Sequence, residues 1–163
     1  MNHSSVFASS LATVLILSAC SQNAEPVVSP ESVSEPEIAA DPTVLPRSAS
    51  AAGASVFFIT PADGDTVSNP ISIEFGIDGM DIVKAGVEQP SSGHHHLMID
   101  TDLPDFSLPI PADGQHVHFG DGSTATEITL PPGQHTLQML LGDHFHIPHD
   151  PALVSEPITI TVE

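Results

Sequence analysis

A chain of 163 residues carrying a formal charge of −19, from 2 basic and 21 acidic side chains, suits one domain with extensions. That charge opposes binding to nucleic acid or to an anionic lipid surface. There is no Trp or Tyr for a base- or sugar-stacking platform, and the single cysteine, Cys20, excludes an intramolecular disulfide.

Residues 1–20 read as an export signal. Residues 11–17 form an apolar core too short to span a bilayer as a helix, and the segment ends Leu17-Ser18-Ala19-Cys20. This ending resembles the bacterial lipoprotein signal, which implies lipidation of Cys20 and a mature chain that begins there. The start, Met1-Asn2-His3-Ser4-Ser5, departs from that pattern in having no Lys or Arg. Ser21, rather than Asp, follows the cysteine. By resemblance to Gram-negative sorting this favours the outer membrane, with the protein facing the periplasm or the cell exterior. Residues 21–55 are rich in Ser, Pro, Ala and Glu with no apolar period, and predict a disordered tether that holds the domain off the membrane.

From residue 56 short alternating runs are separated by turn chemistry. Val56-Phe57-Phe58-Ile59 predicts a strand, and Ile71, Ile73, Phe75 and Ile77 alternate with polar or small residues. Residues 82–87 suggest an edge segment. Further strands are predicted over residues 95–100, 115–119, 124–130, 134–141 and 157–162, punctuated by Pro-Ala-Asp-Gly at 61–64 and again at 111–114. Seven to eight short strands without a helical period predict an all-β, immunoglobulin-like β-sandwich over residues 56–163.

Nine of the ten histidines fall between His94 and His149. The runs Gly93-His94-His95-His96-Leu97-Met98-Ile99-Asp100, His116-Val117-His118-Phe119-Gly120, Pro131-Pro132-Gly133-Gln134-His135 and Gly142-Asp143-His144-Phe145-His146-Ile147-Pro148-His149 resemble an exported bacterial family, the domain of unknown function DUF 4399. The resemblance covers residues 56–163. It implies a single β-rich exported module and names no reaction.

Strand alternation sorts these histidines by face. If Leu97 and Ile99 face the core, His95 joins them and His94, His96 and Met98 point the other way. His116 and His118 point outward together, as do His144 and His146. His135 shares a face with Leu137, Met139 and Leu141. Imidazoles at i and i+2 lie roughly 6.5–7 Å apart at the backbone, within reach of one metal ion. The candidate ligands are therefore His94, His96, Met98, His116, His118, His144, His146 and His149, with Met139 as another possible thioether. Copper is the favoured cofactor and zinc the next, since imidazole suits both and copper binds nitrogen sites more tightly. His95 and His135 are expected to be buried, neutral structural braces.

The architecture also resembles the small periplasmic copper-carrier sandwiches. It departs from them in lacking a histidine at the mature N-terminus and a methionine-rich loop. The competing expectation is an envelope interaction or scaffold module whose histidines brace loops through hydrogen bonds. No Gly-x-Ser-x-Gly elbow or cysteine nucleophile is present in the domain, so the reading is of a binding protein rather than an enzyme, a metal-dependent hydrolase or oxidase being the exception. Asp100-Thr101-Asp102-Leu103-Pro104-Asp105 lacks the spacing of a calcium loop. The expected partners are the membrane, through the lipid, a metal ion and an envelope protein.

Overall fold

A computed structural model describes residues 45–163. The expected signal through Cys20 and the tether up to residue 44 lie outside the described residues. The described chain forms nine strands: β1 (Ser55–Thr60), β2 (Thr66–Val67), β3 (Ile71–Asp78), β4 (Asp81–Ile82), β5 (Ser92–Ile99), β6 (His116–His118), β7 (Ala125–Ile128), β8 (Gly133–Gly142) and β9 (Ile158–Val162). Among the described residues there is no helix.

The strands make an all-β, immunoglobulin-like sandwich. One sheet has the order β1-β3-β7, and the other runs β2-β9-β8-β5-β4, with β6 also paired to β5. In β3, Ile71, Ile73 and Phe75 are buried while Ser72 and Glu74 are exposed, the period-2 pattern of a strand with one wet face. Those side chains meet Leu97, Ile99, Leu137, Met139, Leu141, Ile158 and Ile160 of the opposing sheet in one apolar core. Each fully buried aliphatic side chain of this kind contributes roughly 1.5–3 kcal/mol. The edge segment expected over residues 82–87 contracts to β4. The short β2, which pairs parallel to β9, gave no readable period in two residues.

Two features of the fold correct the expectations. Ordered structure begins before residue 56: the Ser50 N–H donates to the Asp150 carbonyl (3.2 Å) and the Asp150 N–H to the Ser48 carbonyl (2.9 Å). The last residues of the expected tether therefore belong to the domain. The second correction concerns β5, of which all eight residues are buried. Its outer face is covered rather than wet, because Phe106 and Ile110 from one long loop and Val154 from another close over Met98 and Leu140 in a second apolar cluster. His94 and His96, on the same outer face, are buried as well.

Candidate metal centre

Four imidazoles converge beside this covered face. His94 and His96 stand two residues apart on β5, His118 lies opposite His96 in the β5–β6 register, and His146 comes from the turn after β8. The ring centroids of His94 lie 4.8 Å from His96, 4.9 Å from His118 and 4.9 Å from His146. The remaining separations are 5.0 Å for His96–His118, 6.0 Å for His96–His146 and 4.7 Å for His118–His146. One ring nitrogen from each of His94, His96 and His118 falls within 4.8 Å of the other two. His94 and His96 are fully buried, His146 is partly buried and His118 is exposed, so the cluster opens to solvent on one side.

Missing side chains make room for these rings. A Cβ on Gly120 would lie 2.3 Å from Cε1 of His118, and one on Gly142 would lie 2.9 Å from Nε2 of His96. Both glycines leave free the space that the imidazoles fill. His146 is placed by a different device. Its φ of +66° lies in the left-handed region, which costs a non-glycine residue on the order of 1–3 kcal/mol. The buried Asp143 carboxylate holds the turn in that shape, accepting N–H bonds from Phe145 (2.8 Å) and Ile147 (3.0 Å) and a hydroxyl bond from Ser48 (2.8 Å). Burial opposes the charge on Asp143, but these donors keep its pKa below the usual carboxylate value.

Burial favours the neutral form of three of these rings, His94, His96 and His118. Burial, reinforced by His146 and His118, pushes the pKa of His94 down to about 4, with Asp143 acting in the opposite sense. Burial and then His94, His118 and His146 push His96 down to about 2. Burial and then His146 lower His118. Neutral imidazole is the form that ligates metal. Nε2 of His94 and Nε2 of His96 face each other at 3.1 Å. Two imidazole nitrogens about 2.0–2.1 Å from one ion lie roughly 2.8–3.4 Å apart, between square and tetrahedral geometry. The buried Nδ1 atoms of both rings have no protein partner. An ion on the two Nε2 atoms would leave these Nδ1–H groups unpaired, so the fit to a cation rests on the Nε2 spacing.

The other candidate residues lie elsewhere. His116, paired in register with Met98, turns to the Asp113 carboxylate, Nδ1 to Oδ1 2.8 Å. His144 stacks on Phe145, with centroids 4.0 Å apart, so the 144/146 pair is split. That pairing failed because residues 143–147 form a turn and not a strand. His149 is buried and bonds the Ser92 carbonyl through Nε2 (3.0 Å), a brace between the turn and the start of β5. Met98 packs in the second apolar cluster with Ile110 and Leu140, and Met139 lies in the main core, on the opposite face of the sheet from His94 and His96.

His95 faces the main core against Phe75, 5.2 Å between centroids, and burial pushes its pKa down to about 4. Neither of its ring nitrogens has a partner, so it is a neutral core residue rather than a hydrogen-bonding brace. His135 is the reverse. It is only partly buried, and both nitrogens are bonded, Nδ1 to Asp100 (2.6 Å) and Nε2 to the Pro131 carbonyl (2.8 Å). Two acceptors favour the doubly protonated ring, and the Asp100 bond, then the Pro131 bond, raise its pKa. It braces from a partly exposed position with its charged form favoured, not as a neutral buried ring. The positioning roles of Ser48, Gly120 and Gly142 carried no signal in the sequence beyond the proximity of the glycines to histidines.

A family model described as Domain of unknown function (DUF4399) matches residues 73–163. The chain belongs to that family. The matched span of this DUF4399 domain includes the four clustered histidines and Asp143, and leaves out β1, β2 and residues 47–50. Neither a curated protein nor a solved structure matches the chain.

Proposed function

We propose that this DUF4399 domain binds one divalent transition metal ion, copper in preference to zinc, through His94, His96, His118 and His146. In the same reading Cys20 is lipidated and anchors the domain in the cell envelope, where it buffers the metal or hands it to an envelope partner. The convergence of ring nitrogens from His94, His96 and His118, with the His146 ring beside them, carries the proposal. An all-nitrogen donor set suits Cu(II) and Zn(II) alike, and the Irving–Williams order gives copper the tighter binding. Exposure of His118 supplies a side from which an ion enters and leaves, as exchange requires.

The scaffold reading keeps a narrower place: His116, His135 and His149 each have a bonded ring nitrogen and act as braces. Titrating the full chain with copper and zinc, against His118→Ala and His116→Ala variants, tests the division. One equivalent should bind, His118→Ala should lose most of the affinity, and His116→Ala should keep it. No binding by the wild type would leave only the scaffold reading. Fractionation of a Cys20→Ser variant checks the anchor, which predicts loss from the membrane fraction or an unprocessed chain.

A further inference from the structure

The segment that leads into the sandwich is bound to the turn that carries His146. The Ser48 hydroxyl donates to Asp143 Oδ2 (2.8 Å), and Asp143 shapes that turn through the Phe145 and Ile147 amides. Ala49 bridges to Asp150, with backbone bonds on either side of it. The Arg47 guanidinium donates through Nε to the Pro148 carbonyl (2.9 Å) and through Nη2 to the His149 carbonyl. Nη1 lies 3.5 Å from Asp150 Oδ1, and the guanidinium sits 5.9 Å from the ring centre of Phe106. Arg47 thus bridges the His146 turn and the loop that roofs Met98. The roof is tied to the turn as well, since the Ile110 N–H donates to the His146 carbonyl (2.8 Å).

We infer that residues 47–50 form a strap whose seating sets the position of His146, so that metal loading and the seating of this strap are coupled. The inference rests on the metal reading above. Ser48 and Arg47 are positioning residues in it: neither reaches the imidazoles, and both act through the turn. His146 holds a left-handed backbone conformation, which survives only where its surroundings over-determine it. Releasing Ser48 removes one of the three donors on Asp143, and releasing Arg47 frees the carbonyls of Pro148 and His149. A turn so released relaxes, and the imidazole leaves the cluster. Linkage makes the effect reciprocal: if a seated strap strengthens metal binding, bound metal strengthens seating by the same factor. The strap joins the domain to the N-terminal part of the chain, so occupancy of the site would be felt where the domain meets its tether.

The sequence supplies a direct reporter. Arg47 and Lys84 are the only two basic residues, hence the only trypsin sites, and Arg47 lies in the strap itself. The experiment uses the full-length protein in detergent, with Cu(II) and Zn(II) as probes. In the wild type, metal should slow cleavage after Arg47, with the metal-free protein as the reference. Ser48→Ala should weaken metal binding, by less than the roughly 10- to 100-fold lost when a group bonded directly to a ligand is removed, and Ser48→Thr should restore much of it. In a His146→Ala background Ser48→Ala should cause no further loss, and metal should no longer protect Arg47. Equal losses in both backgrounds, unchanged affinity on Ser48→Ala, or metal-independent cleavage after Arg47 would overturn the coupling while leaving the metal site standing. A wild-type protein that binds neither metal overturns both.

Discussion

At the scale of single residues, two glycines decide where the clustered imidazoles lie, and they should respond differently to a methyl group. An added Cβ at Gly142 would meet Nε2 of His96 at 2.9 Å, its Cδ2 at 3.2 Å and Cδ1 of Ile110 at 3.3 Å. His96 is 1% exposed and Ile110 is buried, so neither yields easily. Overpacking of this kind costs about 1–3 kcal/mol. At Gly120 the clash with His118 is closer, but His118 is exposed and swings outward at little cost. Gly142→Ala should therefore lower both the melting temperature and the metal affinity. Gly120→Ala should spare the melting temperature and still lose affinity. Calorimetry and copper titration on the two variants check this, and equal melting-temperature losses would mean that the His118 ring is not free to move.

At the scale of elements, legibility followed exposure. The β3 strand was plain from its letters because one face is core and the other is solvent. In β5 the same alternation placed His95 inward and His94 and His96 outward, which matches their faces, but the outer face is roofed by loops with no period. Sequence showed the face and concealed the burial. The 144/146 pairing failed because Asp143 draws the chain into a turn, a side-chain effect that competes with strand formation. The pairing of His135 with Asp100, 35 residues away, was equally hidden. That contact joins the end of β5 to β8, since Asp100 Oδ1 also accepts the Thr136 N–H (2.8 Å). The Asp100 pKa is lowered: burial opposes ionisation, but the His135 and Thr136 bonds outweigh it.

The signs for this pair run in opposite directions. His135, raised from 6.5, contributes stability that is fully present below 6.5 and is lost as pH rises through its folded value. Asp100, lowered from 3.8, contributes stability present above 3.8 and lost as pH falls through its folded value. The clamp should then be strongest between these limits, near pH 5. Comparing wild type with His135→Gln by thermal melts, the loss should be largest near pH 5 and smaller at pH 8.5. A loss that does not vary with pH would assign the effect to packing rather than to the ion pair.

At the scale of the whole molecule, a formal charge of −19 acts on every cation, and the cluster acts on few. Self-repulsion among the acidic side chains of the domain weakens the compact state, so any divalent ion at millimolar concentration should raise stability gradually by screening. Magnesium and calcium, which prefer oxygen ligands, are confined to that effect. Copper and zinc should add a second effect that saturates at one equivalent, because the ion would tie β5, β6 and the turn after β8 together in the folded state alone. At 100-fold excess over its dissociation constant such a ligand stabilises by about 2.7 kcal/mol. The two effects separate on substitution. In a His118→Ala/His146→Ala variant the gradual rise with magnesium should persist, and the stoichiometric rise with copper should disappear. Thermal melts across magnesium and copper series make the comparison. If copper stabilised the double variant as sharply as the wild type, the ion would be held by the acidic surface and the four-histidine cluster would not be its site.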